Sequence, residues 1–316
     1  MRFVVLGAGA IGGAVGGGLF RAGHDVTLIA RGAALAVLQS AGLTLQTPDG
    51  DEVLRVPTVA SAADAVRDGD IVILAVKSQH TVAALESLAG RDVTVVCAQN
   101  GVANEVEALR RFQRVYGVFV WLPARHVDPG VVQVYSAPVN GVLAVGRVPA
   151  GEDELAHALA AAFTAAGSDG IASADVMRLK RAKLLGNLIN GIQVVIGDGE
   201  EASALHERAM AEARACFDAA GLEYESQLGP LGSRMSPPRP VHGEGHANSS
   251  SWQSLERGTG TIETDFLNGE IVLLGRLHGV PTPVNEAVQR LATQMAREHL
   301  PPGSLELKPH LRGLAP

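Results

Sequence analysis

Phe3-Val-Val-Leu-Gly7-Ala-Gly9-Ala-Ile-Gly12, close to the start of the chain, decides the fold. Phe3 to Leu6 form a short apolar run without alternation, which reads as a buried strand. Glycines at 7, 9 and 12 end the run, and a helical stretch follows through Leu19 to about Ala22. In a strand, tight turn and helix of this kind, two glycines let a pyrophosphate approach the backbone and the third lets the helix pack closely. The helix N-terminus then offers free N–H groups to the anion. Gly7, Ala8, Gly9, Ala10, Ile11 and Gly12 are therefore candidate dinucleotide contacts, against the alternative of an ordinary glycine-rich turn.

The next strand, Asp25–Ile29, leads to Arg31. An acid at this place would accept hydrogen bonds from the ribose 2′-hydroxyl of NAD, whereas a guanidinium suits a 2′-phosphate. Arg31 thus favours NADP(H), with a solvated surface arginine as the alternative. It also counts against an S-adenosylmethionine methyltransferase, which wants an acid here. Further apolar runs at 71–76, 93–97 and 115–120 alternate with helix-like segments near 79–90 and 102–112, which implies parallel pairing. Lys77 and Asn100 follow two of these strands at their carboxyl ends, the edge where open α/β sheets place ligands. Alone, each is also an ordinary surface lysine or turn asparagine. The stretches 43–47 and 53–56 flank Pro48-Asp-Gly50 and read as a hairpin; 131–135 and 141–145 read as an antiparallel extension of the sheet. After a helix at about 152–166 the pattern becomes helical, over roughly 174–197, 200–220, 252–278 and 284–298. Residues 229–249 read as an irregular interruption and 300–316 as a loosely attached tail. The expected architecture is α/β, with an N-terminal Rossmann-type dinucleotide-binding domain, 1–172, followed by a mostly α-helical substrate and catalytic domain, 173–316.

Composition narrows the function classes. The 316 residues are 47% hydrophobic and 19% charged, which excludes disordered, collagen-like and coiled-coil readings. A formal net charge of −7 gives no general field for nucleic acid or an anionic membrane, so neither partner is expected. Two cysteines exclude a disulfide framework, and with no signal-like or membrane-spanning stretch the expectation is a soluble cytoplasmic protein.

The helical half carries the chemistry-bearing residues. On a helix over 174–197, Lys183, Asn187 and Asn190 share one narrow face, broadly opposite Leu184, Leu185, Leu188, Ile189, Ile192 and Ile196. Lys183 is the last charge before Asp198, and two asparagines beside one lysine suit a polar cleft better than a solvated face. Ser249-Ser-Ser251 either caps the next helix or offers hydroxyls to a ligand. Glu263 shares a side with Phe266, Leu267, Ile271 and Leu274, and a carboxylate there needs a partner: Lys183, a substrate hydroxyl, or a nearby helix start. Glu270 lies on the same side. His242 and His246 have the spacing of a helical zinc pair but stand among glycines, so no metal site is expected.

Together these motifs resemble the ketopantoate reductase (2-dehydropantoate 2-reductase) family over nearly the whole chain. The resemblance rests on Gly7-Ala-Gly-Ala-Ile-Gly12, Arg31, Ala75-Val-Lys77, Gln99-Asn-Gly101 and Lys183-Leu-Leu-Gly-Asn187, with Ser250-Ser-Trp-Gln253 and Glu263-Thr-Asp-Phe-Leu-Asn-Gly269. It implies NADPH-dependent reduction of ketopantoate to pantoate, a step of pantothenate biosynthesis towards coenzyme A, in a cleft between the two domains. It also implies Lys183 as the catalytic proton donor and Glu263 as a catalytic partner engaging the substrate's hydroxyl end or Lys183. Asn100, Asn187, Asn190 and Ser251 become substrate-binding residues, and Gly7–Gly12, Arg31, Lys77 and Asn100 the NADP contacts. Apolar faces on the helical domain make a homodimer a possible assembly. Two alternatives stay open: a reductase of another small 2-oxo acid or carbonyl compound, and a non-catalytic NADPH-binding regulatory protein.

Overall fold

Strand β1 (Arg2–Leu6) is buried on both faces and lies between two parallel neighbours, β2 (Asp25–Ile29) and β6 (Ile71–Leu74). The chain runs from β1 through helix α1 (Ala10–Arg21) to β2 on one side and returns to β6 on the other. The strand order reverses at that point, and the crevice it opens at the carboxyl ends of the strands is where open α/β sheets bind ligands. The structure, a computed structural model, describes residues 1–226, 229–245, 249–258 and 260–306.

The main sheet has eight strands in the order β12-β11-β8-β7-β6-β1-β2-β5. Its remaining members are β5 (Thr58–Val59), β7 (Thr94–Cys97), β8 (Arg114–Trp121), β11 (Val142–Arg147) and β12 (Asp169–Ala172). Pairing is parallel from β5 to β8, then antiparallel between β8 and β11. A second sheet, β4-β3-β10-β9, is built from β3 (Leu43–Thr47), β4 (Gly50–Leu54), β9 (Ala124–Asp128) and β10 (Val131–Val134). The expected hairpin is present as β3 and β4. The expected extension of the main sheet is half corrected: Val142–Arg147 joins it, but Val131–Val134 pairs with β3 and β9 in the smaller sheet. The α2 (Gly32–Ser40), α3 (Thr81–Glu86), α4 (Ala103–Leu109) and α5 (Glu154–Ala165) helices connect the strands, and Asp153 caps α5 by accepting from the Ala156 N–H.

Helix α1 is rich in glycine, a poor helix former, because it is packed from several sides. A Cβ at Gly16 would lie 2.7 Å from Leu28, at Gly13 2.8 Å from Val132, at Gly17 2.8 Å from Leu43, and at Gly18 2.5 Å from the Ala166 carbonyl. Both sheets and the end of α5 thus reach the helix backbone, at a closeness that side chains would forbid.

The chain divides into two contact units. The first gathers Met1–Asn100, Asn104–Leu179 and Gln227–His246; the second gathers Gly101–Ala103, Lys180–Ser226 and Ala247–Pro316. The second unit is helical: α6 (Val176–Asn187, shared with the end of the first), α7 (Ile189–Ile196), α8 (Glu200–Ala219), α10 (Ser250–Glu256), α11 (Asn268–His278) and α12 (Pro283–Glu298), while the short α9 (Gly229–Gly232) belongs to the first. Two expected helices are corrected here. The stretch 174–197 is interrupted at Leu188, and 252–278 ends at Glu256 and resumes at Asn268, with a 3₁₀ turn, Glu263–Phe266, between. Among the described residues no helix is long and apolar enough to cross a membrane.

A side chain from α11 meets the backbone where α6 gives way to α7. The buried Asn268 side chain donates from Nδ2 to the Leu188 carbonyl (3.3 Å) and to Asn285 Oδ1 (3.0 Å). Gly191 makes room for it, since a Cβ there would stand 2.5 Å from Asn268 Oδ1. Asn285 in turn donates to Glu212 Oε2 (2.8 Å), and the same carboxylate accepts from the N–H groups of Val284 and Asn285, capping α12 from α8.

Candidate functional site

In the first unit the dinucleotide loop follows β1 directly. Gly7 has φ +103°, and a Cβ there would lie 2.9 Å from Val76 N; a Cβ at Gly12 would lie 1.9 Å from the Gly7 carbonyl. Both glycines are therefore required by contacts within the chain. Gly9 is different. Its φ of −84° suits any residue, and a Cβ on it would meet nothing within 4 Å. Gly9 is also the N-cap of α1 and supplies no side-chain cap. An open, uncapped helix N-terminus beside a side-chain-free backbone is what an approaching pyrophosphate needs. The residues present fit a dinucleotide.

The remaining sequence-predicted contacts of this unit stand at the carboxyl ends of neighbouring strands. Arg31 is exposed and is the N-cap of α2, just past β2. Lys77 is the N-cap of a 3₁₀ turn after β6, and Asn100 follows β7. A buried polar network unread in the sequence joins these last two loops. Gln99 Nε2 donates to the Val76 carbonyl (3.0 Å) and Thr81 Oγ1 (2.7 Å), and Thr81 donates to Asn104 Oδ1 (2.7 Å). Asn104 Nδ2 donates to Ser78 Oγ (3.2 Å) and the Asn100 carbonyl (2.9 Å). The loops bearing Lys77 and Asn100 are held in one register by it. Four polar residues scattered over 78–104 show no periodicity, so only the amide of Gln99, next to Asn100, hinted at the network.

In the second unit Lys183 and Asn187 lie one turn apart on α6, and Asn190 opens α7 beyond the break. Leu188 between them keeps helical dihedrals (φ −62°, ψ −25°), and its N–H still bonds the Leu184 carbonyl (3.1 Å). Lys183 is partly covered, and its ammonium is pushed down to about 7, first by burial and then by repulsion from Lys180, while Glu263 opposes both. That attraction places Glu263 within electrostatic reach of Lys183. Glu263 itself is 5% exposed and begins the 3₁₀ turn instead of lying on the apolar side of a long helix. The face shared with Leu267, Ile271 and Leu274 is therefore replaced by a turn that buries the acid. Glu270, in the first turn of α11, is only partly buried.

The serine run divides its tasks. Ser249 caps α10 by accepting from the Trp252 N–H (3.4 Å). Ser251 is 1% exposed, and its Oγ, the Ser250 Oγ and the Asn187 Nδ2 are buried with no hydrogen-bond partner among the described residues. Buried polar groups are ordinarily paired, so these three atoms fit a polar ligand. Lys180, three residues before Lys183 and 3% exposed, was missed as a neighbour; its i, i+3 spacing was the available signal. His242 hydrogen-bonds Asp51 (2.9 Å), while His246 lies outside the described residues; no metal-holding group of three or more His, Cys, Asp or Glu side chains occurs among the described residues.

A Rossmann-type unit with an open glycine loop at its switch point, in a chain whose helical half sets the buried Glu263 within electrostatic reach of Lys183, has the make-up of a nicotinamide-dependent oxidoreductase. Residues 3–149 match Ketopantoate reductase PanE/ApbA and residues 175–296 match Ketopantoate reductase PanE/ApbA C terminal, so the chain belongs to the ketopantoate reductase family, which uses NADPH. A 2-dehydropantoate 2-reductase of Mesorhizobium japonicum is 32% identical, over 94% of this chain and 98% of its own. One from Pyrococcus horikoshii is 29% identical, over 96% and 100%. The crystal structure of a PanE/ApbA family ketopantoate reductase from Ralstonia eutropha JMP134 superposes with a TM-score of 0.79 at 28% identity, covering 95% of this chain and 99% of that one.

Proposed function

We propose that this protein reduces 2-dehydropantoate to pantoate with NADPH, and that Lys183 donates the proton. The observation that carries the reading is the match of residues 3–149 and 175–296 to the two ketopantoate reductase family models; a Lys183 ammonium that burial pushes down to about 7, with the buried Glu263 carboxylate opposing the shift, suits the role of proton donor. A general acid works best when its pKa lies near the working pH. NADPH supplies the hydride when bound. The Gly7–Gly12 backbone and the α1 N-terminus would hold its pyrophosphate, Arg31 would engage the 2′-phosphate, and Lys77 and Asn100 would be further contacts. Lys183 Nζ hydrogen-bonds the keto oxygen, offsets the negative charge that develops there, and gives up its proton to form the hydroxyl. Ser251 holds the carboxylate, Asn187 and Asn190 orient the substrate, and Glu263 engages its hydroxyl end while keeping Lys183 charged. The names of the family relatives support this substrate, and the unpartnered Ser251 and Asn187 atoms support a polar one.

The test follows the loss of reduced-nicotinamide absorbance with 2-dehydropantoate and a panel of other 2-oxo acids, using NADPH and NADH in parallel. Selective turnover of 2-dehydropantoate with NADPH is expected. Lys183→Ala should lower kcat by at least about 100-fold, in line with loss of a general acid, while NADPH titration stays within about 2-fold of wild type. Arg31→Ala should weaken NADPH and leave NADH nearly unchanged. Full turnover in Lys183→Ala would refute the proton-donor role, and selective turnover of another acid would move the substrate.

A further inference from the structure

Residues 300–306 are tied down more firmly than the sequence pattern suggests. Helix α12 ends at His299, whose left-handed backbone (φ 53°) turns the chain, and the Leu300 N–H takes the Met295 carbonyl. The chain then reaches the C-terminal end of α7. There the Gly303 N–H donates to the Val194 carbonyl (2.8 Å) and the Leu305 N–H to the Val195 carbonyl (3.0 Å). Carbonyls in the last turn of a helix have no partner within it. Val194 and Val195 are buried, so these two segments of main chain satisfy each other where water does not reach. Gly303 has φ +72°, a conformation that favours glycine, and its backbone runs against two neighbours: a Cβ on it would lie 3.4 Å from Gly197, just past α7, and 3.4 Å from the Trp252 ring on α10. The Trp252 indole N–H is in turn held by Glu256 (2.9 Å). One short stretch of main chain thus touches both α7 and α10, which also pack on each other.

On the reading that Asn190 and Ser251 hold the keto acid, we propose that Gly303 and Leu305 are positioning residues, which fasten the end of α7 and brace α10 through Trp252 so that Asn190 and Ser251 keep their places for the substrate. Asn190 stands one helical turn before Val194, and Ser251 immediately precedes Trp252. Helix α7 spans only Ile189–Ile196, and so short a helix has little stability of its own. Its last turn therefore depends on what its carbonyls meet. Neither Gly303 nor Leu305 has to contact substrate or cofactor to do this.

The double variant Gly303→Pro, Leu305→Pro removes both N–H donors, and proline cannot take the φ of Gly303. Ser304→Ala, at the exposed residue between them, keeps both donors and is the control. In the double variant KM for the keto acid should rise about 5-fold or more while kcat stays within about 2-fold of wild type, the pattern of lost substrate binding. NADPH affinity should hold, and Ser304→Ala should match wild type throughout. Hydrogen exchange without substrate, read by mass spectrometry over residues 189–196 and 250–256, should quicken in the double variant alone. Unchanged exchange overturns the proposal; so does faster exchange with an unmoved KM, or an equal rise of KM in Ser304→Ala. If wild type turns over no 2-oxo acid, it is the substrate reading that fails, and the exchange rates separately decide whether this stretch holds the two helices. Should the double variant fail to fold, Leu305→Pro alone removes one donor and makes the same comparison.

Discussion

A lysine held near pH 7 is a burden on the fold that carries it. The free side chain titrates at 10.5 and Lys183 at about 7, with burial the largest cause. Between those values the unfolded chain binds a proton that the folded chain does not, so stability contributed through this group rises with pH across the window. Below about pH 7 the full cost of folding around the charged ammonium is present. Lys183→Met should therefore melt above wild type at pH 6, by a few degrees, with the gap closing towards pH 10. Thermal scans at pH 6, 8 and 10 read it; a variant less stable than wild type at pH 6 would mean that the surroundings stabilise the ammonium. The candidate residues were legible to differing depths. Lys183 and Asn187 stand out because charge is sparse beyond them, but Lys180 is hidden in Arg178-Leu-Lys180-Arg-Ala-Lys183, a run that looks like an ordinary solvated face. Glu263 was singled out by a helical periodicity that the structure does not contain, yet it is buried, because a short 3₁₀ turn also carries an acid inward.

At the scale of elements, the alternating strands and helices of the first half are legible because each is short, apolar and bounded by turn residues. The junctions in the second half are not, because one of them is met by a side chain distant in sequence. Asn268 takes the Leu188 carbonyl, 80 positions away in sequence, and no local propensity at Leu188 announces this. The small residue at Gly191 is the one trace of it, since Asn268 and Val288 fill the space a side chain would need. Asn268→Ala removes the donor from two buried acceptors, the Leu188 carbonyl and Asn285 Oδ1, at a cost of about 1–3 kcal/mol. Calorimetry should show a lower Tm. Because Asn187 and Asn190, proposed above to orient the substrate, flank Leu188, KM for the keto acid should also rise, while NADPH affinity, proposed to rest on the first unit, should hold. A Tm loss with unchanged KM would make Asn268 a purely structural residue.

The molecule as a whole is assembled out of chain order. Residues 229–245 lie between helices of the second unit in sequence yet are gathered into the first. Arg234 forks onto both oxygens of Asp169 (2.9 and 2.8 Å), Arg239 pairs with Asp49 (3.1 Å), and the Arg239 N–H donates to the Tyr135 carbonyl (2.6 Å). His242 reaches Asp51 on β4. These partners are 65 to 191 positions apart, and the segment has no apolar period, so the sequence offered only an irregular interruption. The two arginine pairs are largely exposed, and such pairs contribute about 0.2–1 kcal/mol each and weaken as salt screens them. The double variant Arg234→Ala, Arg239→Ala should therefore melt only about 2–4 °C below wild type at low ionic strength. In 1 M NaCl, where the Debye length is about 3 Å, most of that difference should vanish. A gap that persists at high salt would assign the attachment to the guanidinium stems and the carbonyl contacts, including that from Arg239 to Ala137, because packing is not screened.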